Sequence, residues 1–166
     1  MAKKSKLKRA IVFPDVHFPL HDMKALSCAL QAIKIVKPDI YVNIGDVGEW
    51  HHFSPWKYKG KKLPDLEYQI PFLDQDIRDV NAGLDIIDYE LKKHKVNEKY
   101  MLQGNHELWM DNFVERYPYM QEYTFPKACK LKERGYKYYE YNLPLKLGKI
   151  NFIHGTYATT YHAKKH

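Results

Sequence analysis

Four short stretches of the chain carry side chains that can bind metal ions or transfer protons. They are Asp15-Val16-His17, Gly45-Asp46, Gly104-Asn105-His106-Glu107 and His154-Gly155. Each follows an apolar run of the length typical of a buried strand. Together they offer carboxylate and amide oxygens and imidazole nitrogens, a mixture that suits Mn, Fe, Zn and similar divalent ions. The sequence therefore indicates a metal site at strand ends.

The pattern around these stretches predicts alternating strands and helices. Apolar runs predict strands at 10–13, in PDIYVNIGD up to Gly45, and in EKYMLQGN up to Gly104. Helical spacing predicts helices over 22–36, with Asp22 as the N-cap, and over 74–94. This β-α-β-α-β order is typical of a largely parallel sheet covered by helices. Ligands bind beyond the carboxyl ends of such strands, so the stretches are expected to converge.

The second half of the chain predicts shorter elements. Residues 107–134 fit a helix in two pieces, broken near Pro118 and ended at Gly135. Short strands follow at YKYYEY, LPLKLG and KINFIHG, with a hairpin around Gly148. We expect a single domain over 1–166, a basic tail over 1–9, and an aromatic and basic loop over 49–73 beside the site.

Taken one at a time, the chemical stretches have ordinary structural explanations. A Gly-Asp pair after a strand is often a turn or an N-cap, and His154 could be a hydrogen-bonded core histidine. Asp15 and His17 are two positions apart, so an extended chain would point both side chains the same way. The order and placement of all four stretches are the stronger signal.

Composition sets limits on the class of protein. The net charge of the 166 residues is +7, which fits an anionic partner such as nucleic acid or a phosphorylated molecule and fits a solvated basic surface equally well. The aromatic content of 14% favours stacking on nucleic-acid bases. No apolar run approaches the roughly 18–20 residues that a membrane-spanning helix needs. Two cysteines make no disulfide framework. We expect a cytoplasmic protein without a membrane partner, and the oligomeric state stays open.

In their order and placement, DVH, GD, GNHE and HG resemble the motifs of the calcineurin-like metallophosphoesterases over roughly residues 10–155. The resemblance implies an α/β fold, an αββα sandwich with a two-metal site between the sheet ends. It implies that Asp15 and His17 bind the first metal and that Asp46 bridges both. Asn105 and His154 would bind the second. Manganese is the favoured ion, with Fe, Zn or Ni as alternatives.

The resemblance also implies two catalytic residues. His106 would protonate the leaving group, a task that suits the pKa range of imidazole. Glu49 occupies the position of an aspartate that partners this histidine in the protein phosphatases of the family. We therefore expect the Glu49 carboxylate to orient His106.

The chain departs from the family pattern in two places. The protein phosphatases have Gly-Asp-x-Val-Asp-Arg-Gly, whereas Trp50 here replaces the phosphate-binding arginine. The later Gly-His-x-His segment has no counterpart, and His162 and His166 do not match it. The sequence thus predicts a C-terminally incomplete domain, either a fragment or a naturally shortened form. Each metal would be short of one imidazole, and we expect weak or no activity unless those ligands are restored.

The loop after Asp46 mixes aromatic and basic side chains. Trp50, Trp56 and Lys57 belong to a run that suits a nucleotide or a single-stranded nucleic acid. Adjacent side chains of an extended chain point opposite ways, so at most one of His51 and His52 should face the substrate. A packed flap with a solvated edge is the alternative interpretation.

These observations predict a metal-dependent hydrolase of phosphate esters, either a phosphomonoesterase or a phosphodiesterase or nuclease. Its partners would be a phosphorylated substrate and, in the nuclease case, DNA or RNA. The alternative is a nucleic-acid-binding relative of the same fold with weak or no catalysis. A structural or interaction protein with a relic site is a third hypothesis.

Overall fold

The computed structural model describes residues 7–155, so most of the basic tail, His162 and His166 lie outside the described residues. The strands are β1 (Ala10–Phe13), β2 (Ile40–Asn43), β3 (Glu98–Leu102), β4 (Tyr136–Tyr139), β5 (Leu145–Leu147) and β6 (Ile150–Phe152). The α-helices are α1 (Met23–Val36), α2 (Leu66–Lys93), α3 (Asn105–Val114) and α4 (Phe125–Ala128). Shorter 3₁₀ helices cover His51–Phe53 and Pro118–Tyr123.

Strands β1 to β4 form one parallel sheet in chain order. Helix α1 connects β1 to β2, and α2 connects β2 to β3, as a parallel sheet requires. Strands β5 and β6 pair as a separate antiparallel hairpin, whose turn includes Gly148 with a φ of 62°. The predicted parallel sheet and the late hairpin are both confirmed.

The two faces of the parallel sheet pack against different partners. Tyr41 and Met101 point into the main core, which also contains buried residues of α1 and α2. Their neighbours Val42 and Leu102 point the other way, into a smaller cluster with Leu145 of the hairpin. Alternation along buried strands thus produces helix, sheet and hairpin layers, and the α/β class is confirmed.

Helix boundaries follow the sequence pattern at some ends and not at others. Asp22 caps α1 as predicted, because its Oδ1 accepts the N–H groups of Lys24 at 2.7 Å and Ala25 at 3.0 Å. Helix α2 begins at Leu66 rather than at residue 74. The helix contains Pro71, and the buried Leu73 in the same turn packs into the core, which favours the helical conformation there. The irregular loop predicted over 49–73 therefore ends earlier, at the start of α2.

The region predicted as two helical pieces over 107–134 is divided further. Helix α3 already begins at Asn105, a 3₁₀ segment begins at Pro118, and the short α4 follows that segment. Pro118 and Pro126 each stand at the start of one of these pieces, where a missing N–H costs little. Two prolines therefore restart the helix twice, and turns then lead to Gly135.

Helix α2, with 28 residues, is the longest helix that the structure describes. It is amphipathic, with a buried apolar face against the sheet and charged residues on the opposite side. Over residues 7–155, no helix combines the length and the apolar character that crossing a membrane demands.

Asp111 ties α3 to the end of β3 and to α4. Its Oδ1 accepts the Phe125 N–H at 2.6 Å, and its Oδ2 accepts Gln103 Nε2 at 2.7 Å. Burial raises the pKa of Asp111 to about 6, against an ordinary value of 3.8. The folded protein therefore holds this proton more tightly than the unfolded chain does. The resulting stabilisation is full below the ordinary pKa and is lost as pH rises through about 6.

We expect Asp111→Asn to lack this pH dependence. The free energy of unfolding of the wild type, minus that of the variant, should fall by about 2 kcal/mol between about pH 4.5 and about pH 7. Urea unfolding of both proteins at the two pH values measures it, and subtraction cancels the other titrating groups. A difference that does not change with pH would contradict the buried-carboxyl interpretation.

Candidate metal centre and active site

The chain segments that follow β1 and β2 lie side by side. The Asp15 N–H donates to Gly45 O at 3.2 Å, and the His17 N–H donates to Asp46 O at 3.0 Å. These main-chain hydrogen bonds continue the parallel pairing beyond the last residues of both strands. The DVH and GD stretches are thereby fixed against each other at the carboxyl ends of β1 and β2.

Three of the predicted metal ligands have left-handed backbone conformations. The φ angles of Asp15, His17 and Asp46 are 45°, 54° and 51°. Non-glycine residues rarely adopt this conformation, and the strain is retained where surrounding contacts enforce it, often at functional sites. The extended chain that we assumed between Asp15 and His17 is wrong, although both side chains still reach the site.

Two groups of possible metal donors meet at Asp46. The first comprises His17, Asp46 and His106, and the second comprises Asp15, Asp46 and His154. Within each group, one donor atom from each residue lies within 4.8 Å of the others. Asp46 belongs to both groups and is only 5% exposed. The four strand ends therefore converge around one shared carboxylate.

His154 presents one particular nitrogen to this site. Its Nδ1 donates to Ile44 O at 2.9 Å, which leaves Nε2 without a proton in the neutral ring. Nε2 lies 2.9 Å from Asn105 Oδ1 and 3.6 Å from Asp46 Oδ2. Three electron-pair donors face one another here, and a bound cation would satisfy all of them at once.

The His106 ring is held on three sides. Its Nδ1 donates to the main-chain oxygen of Glu49 at 2.5 Å. The ring centroid lies 4.6 Å from that of His17 and 4.0 Å from that of Trp109. Because Nδ1 is engaged with a carbonyl, Nε2 is the nitrogen left for a ligand or a substrate.

Glu49 contacts a different histidine from the one we expected. Its carboxylate Oε2 lies 3.0 Å from His17 Nδ1, whereas the hydrogen bond between Glu49 and His106 uses the main-chain oxygen of Glu49. The expectation that the Glu49 carboxylate orients His106 is therefore corrected. A carboxylate on one ring nitrogen makes the other nitrogen a better metal ligand, so the pair suits metal binding by His17.

Glu107 is a buried residue to which the sequence pattern assigned no role. Its Oε2 accepts the N–H groups of Asp46 at 2.8 Å and Gly104 at 2.9 Å. Its Oε1 accepts those of Val47 at 2.8 Å and Gly48 at 3.1 Å. Burial and the charge of Asp46 raise the pKa of Glu107 to about 7, against the opposing effect of the N–H donors. The carboxylate fixes the backbone on which Asp46 stands.

Two glycines allow the GD and GNHE stretches to touch. A Cβ on Gly104 would lie 2.1 Å from Asp46 Oδ1, and a Cβ on Gly45 would lie 2.6 Å from the Gly104 Cα atom. Gly45 also has a φ of 104°, which side chains rarely tolerate. The glycines of both motifs are therefore required by close backbone approach.

Trp50 lies in the core and not at the substrate surface. Its side chain is 0% exposed, and its ring packs edge-on against Phe125 with centroids 6.4 Å apart. The backbone turns at Trp50, whose φ is 45°, and the side chain enters the interior. The prediction that Trp50 binds substrate is wrong, because a buried indole has no free face.

The two histidines after Trp50 differ in environment. They begin a 3₁₀ helix rather than an extended segment. His51 is exposed, whereas His52 stacks on Phe72 with centroids 4.1 Å apart. His52 Nδ1 lies 3.6 Å from Asp76 Oδ2. Burial lowers the pKa of His52 and raises that of Asp76 to about 7, which favours a neutral pair.

The tip of the loop carries an exposed aromatic and basic surface. Trp56 is 70% exposed, and Lys59 Nζ lies 5.4 Å from the centre of its ring. Lys57 Nζ lies 5.7 Å from the centre of the Tyr58 ring. Trp56 and Lys57 are thus placed where a partner can reach them.

The donor set fits divalent metal ions. Carboxylate and amide oxygens together with imidazole nitrogens suit Mn, Fe, Zn and Ni, and Asp46 belongs to both groups of possible donors. The left-handed backbone at Asp15, His17 and Asp46 is the kind of strain found at such sites.

Comparison with curated proteins finds no match. Comparison with family models matches residues 8–165 to the calcineurin-like phosphoesterase model, Metallophos. The matched span contains all four chemical stretches and every described strand, so the expected fold and motif order agree with it. The chain therefore belongs to the calcineurin-like phosphoesterase family of metal-dependent phosphoester hydrolases.

Proposed function

We propose that this chain hydrolyses phosphate esters with two divalent cations held on either side of Asp46. The observation that carries the proposal is that this one carboxylate belongs to both donor groups. A carboxylate shared by two cations reduces their mutual repulsion and keeps them close enough to act on one phosphate.

The residues divide between the two cations as follows. Asp15, His154 and Asn105 would hold one, because His154 Nε2 faces Asn105 Oδ1 and His154 shares a donor group with Asp15. His17 would hold the other, with the Glu49 carboxylate beside its Nδ1. This division differs from the family expectation, in which Asp15 and His17 bind the same metal.

When bound, the cations would neutralise the charge that develops on the attacking and leaving oxygens. The chain's own task is to hold the donors at fixed positions. The Glu107 carboxylate accepts hydrogen bonds from four main-chain N–H groups, including that of Asp46, and so holds this backbone in place. The Ile44 carbonyl accepts from His154 Nδ1 and so fixes the tautomer of His154. Such preorganised groups need no rearrangement during the reaction.

His106 supplies a proton to the leaving oxygen. With Nδ1 bonded to the Glu49 carbonyl and the ring packed between His17 and Trp109, only Nε2 is free for this transfer. We expect His106→Ala to lower kcat roughly 10²-fold for a diester with an alkoxide leaving group. The same change should alter the rate only about threefold for p-nitrophenolate, which leaves without a proton.

Steady-state kinetics with both leaving groups, together with manganese titration, tests this role. His94→Ala is the matched control. His94 lies between α2 and β3, near the amino end of β3 and so at the opposite end of the strands from the site. Equal losses for both leaving groups, together with weaker manganese binding, would make His106 a metal ligand instead of the proton donor.

Manganese is the ion that we propose, with Fe, Zn and Ni as alternatives for the same donors. Metal-depleted protein is tested on bis(p-nitrophenyl) phosphate with each ion added separately. Hydrolysis should appear with manganese and vanish with a chelator. A folded protein that hydrolyses neither this diester nor p-nitrophenyl phosphate with any of the four ions would contradict the proposed function.

A nucleic-acid-binding protein with weak catalysis is the second candidate, and the exposed Trp56 with Lys59 favours it. Base stacking on an exposed indole is expected to contribute enough that Trp56→Ala weakens single-stranded DNA binding about tenfold. Binding should also weaken steeply with salt. Tyr119→Ala, an exposed aromatic outside the loop, should change little. Salt-independent binding, or equal binding by both variants, would exclude this candidate.

A further inference from the structure

The His106 ring packs against the indole ring of Trp109 within a single helix. Both residues lie on α3, three positions apart, and this spacing makes two side chains neighbours on the surface of a helix. The ring centroids are 4.0 Å apart, and the two planes are inclined by 31°. The indole therefore covers one face of the imidazole.

Hydrogen bonding alone leaves the plane of this imidazole free to tilt. His106 Nδ1 donates to the main-chain oxygen of Glu49 at 2.5 Å, which fixes one atom of the ring. The torsion about the Cβ–Cγ bond of histidine has a broad energy minimum, so it does not fix the plane. A flat group against the ring face restricts the tilt, whereas a flexible aliphatic group restricts it less.

Both contacts of the imidazole are themselves anchored. The Glu49 N–H donates to Phe18 O at 2.9 Å, and the next side chain, that of Trp50, is fully buried. The Glu49 carbonyl between these two points is thereby held in place. Trp109 is half-buried and packs against the main core. The imidazole therefore rests on two supports that belong to the protein framework.

We propose that Trp109 is a positioning residue for His106, which holds the imidazole plane so that Nε2 points at the leaving oxygen. The proposal rests on the proposed function, in which His106 Nε2 supplies the proton. Proton transfer needs hydrogen-bond geometry, and a misplacement of about 1 Å can lower a rate roughly 100-fold. Loss of the flat contact should therefore slow the reactions whose leaving group needs a proton.

The first test compares two substrates that contain thymidine 5′-phosphate and differ in the leaving group. The p-nitrophenyl ester of thymidine 5′-phosphate releases a phenolate without a proton, whereas both leaving oxygens of dithymidine monophosphate are sugar alkoxides. With manganese, Trp109→Leu should lower kcat about tenfold for dithymidine monophosphate and less than about threefold for the p-nitrophenyl ester. Equal losses for both substrates, or no loss for either, would overturn the proposal.

Rescue by a second flat ring separates positioning from general packing. Trp109→Phe should keep kcat within about threefold of the wild type for both substrates. Trp109→Met introduces a flexible side chain, should behave like Trp109→Leu, and replaces it if that variant does not fold. Tyr89→Leu, which removes an exposed ring on α2, should change neither rate. A loss in Trp109→Phe as large as that in Trp109→Met would overturn the role of the flat contact.

Nuclear magnetic resonance separates this proposal from the proposed function, because it needs no turnover. The His106 Nδ1 proton, identified by its absence from His106→Ala, should exchange slowly with water because it is bonded to the Glu49 carbonyl. Exchange should be about tenfold faster in Trp109→Leu and unchanged in Trp109→Phe. This result would support the positioning role even if no substrate were hydrolysed. Equal exchange in the wild type and Trp109→Leu would overturn it.

Discussion

Replacement of Asp46 by asparagine should lower kcat/KM for metal-dependent diester hydrolysis roughly 10³-fold. Asp46 is the residue common to both donor groups, so one change weakens both proposed cation sites. An amide has one oxygen instead of two and carries no charge. It therefore neither shares itself between two cations nor offsets their repulsion.

We expect Asp46→Asn to lose activity without losing stability. Asp46 adds a negative charge beside Glu107 and so raises the pKa of that buried carboxyl. Without metal, the free energy of unfolding of Asp46→Asn should therefore equal or exceed that of the wild type. Asp65→Asn, an exposed residue before α2, is the matched control. Near-normal turnover by Asp46→Asn at saturating manganese would contradict a shared ligand.

Glu107→Ala should produce the largest loss of stability. It removes the acceptor for four main-chain N–H groups around Asp46 and leaves them buried without partners. It also removes the burial cost that raises the pKa of Glu107 to about 7, which offsets part of the loss. We expect the free energy of unfolding to fall by roughly 3 kcal/mol.

Urea unfolding measures this change, and manganese titration measures its effect on the site. Because Glu107 fixes the backbone of Asp46, manganese should bind at least about tenfold more weakly to the variant. Glu115→Ala, at the exposed end of the same helix, should stay within about 0.5 kcal/mol of the wild type. Wild-type stability in Glu107→Ala would mean that the carboxylate does not fix the GD turn.

The sheet and the positions of the site residues were predictable because they follow local patterns. Apolar runs mark β1, β2 and β3, and the helical spacing after Asp22 marks α1. Parallel strands place their carboxyl ends at one edge, so Asp46 and Asn105 had to be neighbours. Gly45 precedes Asp46 and Gly104 precedes Asn105, and the turns after β2 and β3 contact each other at these two glycines.

Contacts that depend on turn geometry were not predictable in the same way. A left-handed φ at Trp50 sends that side chain into the core, although its neighbours suggested an exposed loop. In the same turn, the Glu49 carbonyl accepts a hydrogen bond from His106, and the Glu49 carboxylate contacts His17. Neither outcome follows from residue types or spacing.

Glu107 could have been found from one local signal. A glutamate at the third position of a helix commonly bonds back to the N-cap N–H, and Glu107 does so at Gly104. Its further bonds to Asp46, Val47 and Gly48 join segments far apart in sequence. Only the folded arrangement reveals that a helix cap also supports the candidate metal centre.

The most direct test is an anomalous-scattering map from crystals soaked in manganese. Two peaks about 4 Å apart should flank the Asp46 carboxylate, one beside Asp15 and His154 and the other beside His17. No peak at saturating manganese, or peaks that do not contact Asp46, would contradict a metal pair organised by this residue.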